Sequence, residues 1–138
     1  IERALKLFDK LYIVISVNPD KKTLFTADER ADILTHVLKD HPQIEVITNE
    51  ILTVQKAKEM NASHIVRGLR ALTDFDYEFQ LTNANRVLDK SIDTVFFMTD
   101  NQHAFLSSSA VKEIAQFGGA IDAFLPPYAV KKMQEKMK

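Results

Sequence analysis

The sequence contains no cysteine and only three glycines. Without cysteine the chain can form no disulfide, no thiolate zinc site and no cysteine nucleophile. Neither of the glycine-rich phosphate loops, the Walker loop and the GxGxxG fingerprint, occurs in it. Any phosphate group must therefore be held by side-chain cations and by the N-termini of helices.

The chain also lacks a long apolar run and an excess of either charge. No apolar stretch reaches the ~18 residues of a membrane span, and no signal peptide is visible, which fits the cytoplasm. The net charge of −1 gives no reason to expect nucleic acid or a membrane as partner. The 138 residues, of which 46% are hydrophobic, predict a single domain over residues 1–138.

Short apolar, β-branched runs alternate with helical patterns along the chain. The runs at residues 11–17, 44–48, 64–68 and 92–98 are predicted strands, and helical patterns separate them. Because strands that alternate with helices pair in parallel, the sequence predicts an α/β fold. We expect a Rossmann-like, doubly wound parallel sheet with helices on both faces.

Three local patterns predict how individual helices begin, end and pack. Thr26 and Glu29 stand at capping-box spacing and predict a helix start. Gly118 follows a helical pattern and predicts its C-terminal end. In the helix that opens near residue 73, the spacing of Phe75, Phe79 and Leu81 or Thr82 predicts that these side chains face inward.

The first eight residues, IERALKLF, also have a helical pattern. Ile1, Ala4, Leu5 and Phe8 fall on one face, and no capping residue stands before Ile1. We therefore expect these residues to be the end of a helix whose beginning lies upstream. The alternative is a frayed terminal helix.

Polar groups follow the predicted strands, and in parallel sheets ligands bind beyond the carboxyl ends of the strands. The groups are Asn18, Lys21 and Lys22 after the first strand, RGLR at 67–70 after the third, and TDNQHAFLSSS after the fourth. A lysine in a loop can simply be solvated, and serines can simply cap a helix. Together, however, these cations and hydroxyls predict a phosphate-rich ligand. The four histidines show no metal-ligand spacing, and no GxSxG motif surrounds the serines, so we predict no protein-bound metal site and no hydrolytic triad.

The stretch VRGLRALTDFDYEFQLTNANR, residues 66–86, closely resembles the central signature of bacterial phosphopantetheine adenylyltransferases. NPDKKTLFTADER, FLSSSAVKEIAQFGG and the Pro-Pro pair near the end match the same family in order and spacing. The resemblance covers essentially all 138 residues. It departs at the start, because family members begin with a strand and a (T/H)xGH turn whose histidine contacts the ATP phosphates. The resemblance therefore implies that the chain lacks its central strand and this motif, and that catalysis by the chain as written is impaired.

The resemblance implies transfer of an adenylyl group from ATP to 4′-phosphopantetheine in coenzyme A biosynthesis. The products are dephospho-coenzyme A and pyrophosphate, and the pantetheine phosphate attacks ATP directly. The protein then supplies positioning and charge neutralisation. The resemblance also implies Mg²⁺ as cofactor, binding of coenzyme A and a homo-oligomer, typically a hexamer.

The same resemblance implies a role for particular positions. Lys21 and Arg67 would be catalytic and hold the pantetheine phosphate, and Thr53 would lie along the pantetheine arm. We expect Asp74 to fix Arg70. The positions that would bind ATP are Gly68, Leu69, Arg70, Glu78 and Asn85, together with His103, Ala104, Phe105, Leu106, Ser107, Ser108 and Ser109.

Other functions stay open. A nucleotidyltransferase of the same superfamily with a nicotinamide or glycerol phosphate acceptor would share much of this layout. An inactive nucleotide-binding fragment is a further alternative. A flavodoxin-like receiver domain needs aspartates after its strands, whereas this chain has lysine, asparagine and arginine there.

Overall fold

The structure is a computed structural model that describes residues 1–18, 22–70, 72–100 and 103–137. Strands and helices alternate along most of the chain. In order, the elements are a 3₁₀ turn at Ala4–Lys6, β1 (Leu11–Ser16), α1 (Ala27–Val37), β2 (Ile44–Asn49), α2 (Thr53–Glu59), β3 (His64–Leu69), α3 (Leu72–Leu88), β4 (Asp93–Met98), α4 (Ser108–Gln116) and α5 (Pro127–Lys136).

The strands form two parallel pairs. β1 pairs with β2 so that Leu11 lies opposite Ile44, and β3 pairs with β4 so that His64 lies opposite Asp93. Parallel strands with helical connections confirm the predicted α/β, Rossmann-like fold class. Within the described ranges no strand joins the two pairs, so they form two separate two-stranded sheets.

The chain divides into two compact units. Unit 1 comprises residues 1–50 and 106–138, and unit 2 comprises residues 51–105. In the described ranges no helix has the combination of length and apolar character needed to cross a membrane.

Unit 1 has its core around the two C-terminal helices. Val111 of α4, Val130 and Met133 of α5, and Ile121 between the helices form one buried cluster. Burying side chains of this size stabilises a fold by about 1.5–3 kcal/mol each. The core therefore ties the C-terminal third of the chain together.

Helix α1 begins with a capping box and packs against α5. The backbone N–H of Glu29 donates to Thr26 Oγ1 over 3.2 Å, and the backbone N–H of Thr26 donates to the Glu29 carboxylate over 2.8 Å. This confirms the predicted capping box. Farther along α1, His36 stacks on Tyr128 of α5 with ring centroids 3.7 Å apart, and the Tyr128 hydroxyl donates to Asp32 over 2.9 Å. These contacts hold α5 against α1.

Unit 2 has a smaller core, which joins α2 to the second sheet. Val54 and Ala57 of α2 form a buried cluster with Ile65 of β3 and with Ile92, which immediately precedes β4. The cluster fixes α2 and the β3–β4 pair relative to each other inside this unit.

The predicted N-terminal helix is wrong in extent. Only Ala4–Lys6 form a 3₁₀ turn, and Arg3 before it provides no side-chain cap. On the predicted apolar face Ala4 is buried and Leu5 and Phe8 are half-buried, whereas Ile1 is exposed, so the face is covered only in part. A short segment with so little tertiary support does not sustain a longer α-helix, because the first turn is costly to form.

The predicted inner face of α3 is wrong at its two phenylalanines, whereas Leu81 and Thr82 are half-buried. Phe75 and Phe79 are 42% and 51% exposed, and they stack on each other with ring centroids 5.7 Å apart. From Asp74 onward, where the side chains of α3 are described, the buried residues are instead polar, Glu78 and Asn85. A buried carboxylate needs a charged partner, and Glu78 has one on β3, as described below.

Helix α4 ends at the predicted glycine. Gly118 has a φ of 75°, and its N–H donates to the carbonyl of Ala115, while the N–H of Gly119 donates to the carbonyl of Ile114. These two bonds form a Schellman motif, which satisfies carbonyls that the helix leaves unpaired. The left-handed backbone at Gly118 is the reason for glycine there.

Replacing Gly118 should therefore destabilise the protein. We expect Gly118→Ala to lower the free energy of unfolding by about 1 kcal/mol, because a Cβ is disfavoured in the left-handed region. Denaturant unfolding followed by circular dichroism measures the change. Gln116→Ala, in the exposed last turn of the same helix, is the control and should stay within about 0.5 kcal/mol of the parent. Equal stability of the Gly118→Ala variant and the parent would contradict this role of Gly118.

Candidate active site

Strand β3 carries an arginine on the same face as its buried apolar residues. Side chains two positions apart share one face of a strand, so Arg67 lies on the side of Ile65 and Leu69. Both of these neighbours are buried, and Arg67 itself is half-buried. A guanidinium group in such a position needs an anionic partner.

Glu78 of α3 is that partner. Arg67 Nε donates to Glu78 Oε2 over 2.7 Å, and Arg67 Nη2 donates to Glu78 Oε1 over 2.5 Å. The two parallel bonds form a bidentate pair, the strongest arrangement of these groups. The side chain of Glu78 is only 12% exposed, against 37% for Arg67. The hydrogen bond to Glu78 raises the pKa of the Arg67 guanidinium above its ordinary value, although burial acts in the opposite direction, so the group stays charged.

A second pair lies one helical turn earlier on α3. Arg70 Nε donates to Asp74 Oδ2 over 3.1 Å, and the backbone N–H of Arg70 donates to the same oxygen over 3.3 Å. The expected contact between Asp74 and Arg70 is therefore confirmed. Because residues four apart lie on the same face of a helix, Asp74 and Glu78 both face the end of β3.

Four other candidate residues of unit 2 lie on α3, β3 and α2. Asn85 is buried and lies seven residues beyond Glu78, on the same face of α3. Gly68 and Leu69 are the last residues of β3, and a Cβ built on Gly68 would meet no atom within 4 Å. Thr53 is the first residue of α2, whose N-cap position has no side-chain hydrogen bond.

The segment His103–Ser109 crosses the boundary between the units. His103, Ala104 and Phe105 belong to unit 2, whereas Leu106 and the three serines belong to unit 1. Ser107 caps α4, because its Oγ accepts the backbone N–H of Ala110 over 3.1 Å. Ser108 and Ser109 stand exposed in a first turn that has no acidic residue. This helix start thus carries the partial positive charge that attracts anions.

Lys21 lies outside the described residues. Among the side chains that the structure does describe, there is no group of three or more histidine, aspartate or glutamate residues that could hold a metal ion. We therefore assign no protein ligands to the expected Mg²⁺.

Residues 1–114 match the family described as cytidylyltransferase-like. The chain belongs to the cytidylyltransferase-like family. The match includes both arginine–carboxylate pairs and the cap of α4, and it indicates nucleotidyl transfer and nucleotide binding.

For this cytidylyltransferase-like chain, sequence reasoning placed Arg67 and Glu78 in the site but missed that they bind each other. The resemblance implied Glu78 beside ATP and Arg67 beside the pantetheine phosphate. The signal was nevertheless present, because Arg67 shares the face of Ile65 and Leu69, and Glu78 lies one turn from Asp74.

The two pairs should contribute very differently to stability. We expect Glu78→Ala to lower the free energy of unfolding by about 2 kcal/mol, because it leaves the half-buried Arg67 without its anion and water restores only part of the loss. Asp74→Ala should cost less than about 1 kcal/mol, since the Arg70–Asp74 pair is largely exposed to solvent. Urea unfolding of both variants measures the difference. Equal costs for the two variants would contradict the burial argument.

Proposed function

We propose that the protein transfers an adenylyl group from ATP to 4′-phosphopantetheine, giving dephospho-coenzyme A and pyrophosphate. Membership of the cytidylyltransferase-like family supports nucleotidyl transfer. The observation that supports the finer assignment is the RGLR stretch at 67–70, whose two arginines are each paired with a carboxylate of α3.

In the proposed reaction, an oxygen of the pantetheine phosphate attacks the α-phosphorus of ATP. The bond between the α-phosphorus and the bridging oxygen breaks, and pyrophosphate leaves with the electron pair. No covalent enzyme intermediate forms. The protein must bring two polyanions together and stabilise the charge that shifts onto the leaving group, which is work for fixed cations.

Arg67 is suited to this task because it is charged and held in place. Its bidentate bond to Glu78 uses one edge of the guanidinium, and more than a third of its side chain remains exposed. We assign Arg67 and Lys21 to the pantetheine phosphate and the transferring group, with Thr53 along the pantetheine arm.

The nucleotide is assigned to the remaining candidates. Arg70, fixed by Asp74, lies directly after Gly68 and Leu69, whose backbone ends β3. The start of α4 after Ser107 offers backbone N–H groups to phosphates. The set proposed for ATP is Gly68, Leu69, Arg70, Asn85 and the segment His103–Ser109. Glu78, which the resemblance also implies for ATP, is bound to Arg67.

The proposal also includes a cofactor, a cellular location and an oligomeric state. We assign Mg²⁺ to the triphosphate of ATP, as its counter-ion, and the cytoplasm as location. Helix α3 exposes the large apolar side chains Phe75, Tyr77, Phe79 and Val87. Apolar surface of this kind supports a homo-oligomer, and the resemblance supports a hexamer.

Ligand binding tests the proposed function. The full-length protein should bind ATP, dephospho-coenzyme A and coenzyme A, since each presents phosphates to the cations at the end of β3. Isothermal titration calorimetry measures these affinities. Nicotinamide mononucleotide and glycerol 3-phosphate, the acceptors of the alternative functions, are the controls and should bind more weakly. Absence of heat for all of the first three ligands, with folded protein, would overturn the proposal.

Removing Arg67 should slow the reaction far more than it weakens ground-state binding. In the full-length protein, Arg67→Ala should lower turnover roughly a hundredfold, comparable with the loss of a preorganised donor. Arg67→Lys should restore only part of it, because an ammonium group cannot replace the planar fork. Pyrophosphate release from ATP and 4′-phosphopantetheine is measured. Arg86→Ala, at an exposed arginine of α3, is the control; near-normal turnover of Arg67→Ala would assign Arg67 a structural role.

A further inference from the structure

The Arg67–Glu78 pair divides the guanidinium into a bound edge and an outer edge. A guanidinium has five N–H groups, and Glu78 takes the one on Nε and one of the two on Nη2. The two N–H groups of Nη1 and the second one of Nη2 point away from the carboxylate. These three N–H groups of Arg67 can donate to a phosphate while the other two stay bonded to Glu78.

Glu78, in contrast, has little remaining capacity to bind a ligand. Each of its two oxygens already accepts a hydrogen bond from Arg67, and its side chain is only 12% exposed. A carboxylate that faced the phosphates of a nucleotide directly would be repelled by them. Its position in the interior of α3 suits it instead to act as a rigid support.

We propose that Glu78 is a positioning residue, which acts in nucleotidyl transfer through Arg67 and holds the outer edge of that guanidinium toward the reacting phosphate. The proposal deepens the proposed function and rests on it for the identity of the acceptor. It differs from a direct contact between Glu78 and ATP, the role that the resemblance implies.

The physical gain from this support is preorganisation. A free arginine side chain samples many rotamers and must be ordered again each time a phosphate binds. Glu78 removes that freedom before the substrate arrives, so the donors of Arg67 are in place when charge shifts in the transition state. Glutamine at position 78 can supply only one acceptor oxygen, and its amide nitrogen would face a donor of Arg67, which breaks the fork.

A double-mutant cycle tests whether Glu78 acts through Arg67. In the full-length protein, Glu78→Gln should lower kcat roughly 10- to 100-fold, as expected for a misplaced catalytic group. The KM for the acceptor should not rise, because the unpaired cation still attracts phosphate. In the Arg67→Ala background the same substitution should change kcat less than about twofold, since the residue it acts through is gone. If Arg67→Ala does not fold, Arg67→Lys provides the second background.

A variant of α3 with the same change of charge provides the control. Asp76→Asn removes one carboxylate from an exposed position of the same helix and matches the charge change of Glu78→Gln, so it should leave kcat within about twofold. An equal loss from Glu78→Gln in both backgrounds would mean that Glu78 contacts the nucleotide itself, and would overturn the proposal.

The positioning role of Glu78 can be tested independently of which acceptor the protein uses. Pyrophosphate release is assayed with 4′-phosphopantetheine, nicotinamide mononucleotide and glycerol 3-phosphate, and the cycle is run with whichever acceptor reacts. Without any ligand, the ¹⁵N–¹H signal of Arg67 Nε should be resolved and slow to exchange in the parent and in Asp76→Asn. It should be lost or exchange fast in Glu78→Gln. An unchanged signal in Glu78→Gln overturns the positioning role whatever the acceptor, whereas inactivity with 4′-phosphopantetheine alone overturns only the proposed substrate.

Discussion

The bidentate bond between Arg67 and Glu78 is the constraint on which the organisation of unit 2 depends. Strand β3 places Arg67 on the face of its buried residues, where an unpaired cation would be costly. Helix α3 turns a polar face toward the strand, and Glu78 on that face binds Arg67. Beside this polar face, Phe75 and Phe79 stay exposed and stack on each other. Electrostatic pairing has thus overridden the apolar pattern of the helix.

This arrangement suits the chemistry of a nucleotidyltransferase. The protein performs little covalent chemistry in such reactions and mainly supplies charge at fixed positions. A chain without glycine-rich phosphate loops must supply that charge from side chains, and two arginines within four residues do so here, each held by a carboxylate of the same helix. The cytidylyltransferase-like family match covers this region in full. Substrate identity is a separate matter, which depends on the acceptor rather than on these pairs.

How much could be predicted from the sequence depended on the range of the interactions. The capping box of Thr26 and Glu29 and the left-handed end of α4 at Gly118 are local, and both were predicted correctly. The strands were found to within one residue at each end, because β-branched runs are a short-range signal. The inner face of α3 was not, since the rule that apolar residues face inward takes no account of the half-buried cation on the preceding strand. The helix predicted for IERALKLF was too long, because periodicity identifies an apolar face but not how many turns the helix has.

The central claim is that Arg67 is held by Glu78 and meets phosphate with its outer edge. A crystal structure of the full-length protein with dephospho-coenzyme A bound tests it most directly. The account predicts that both bonds from Arg67 to Glu78 persist, that an outer N–H group of Arg67 lies within about 3 Å of a phosphate oxygen, and that Glu78 does not touch the ligand. A structure in which Glu78 leaves Arg67 to bind the nucleotide, or in which Arg67 turns away from the phosphates, would contradict it.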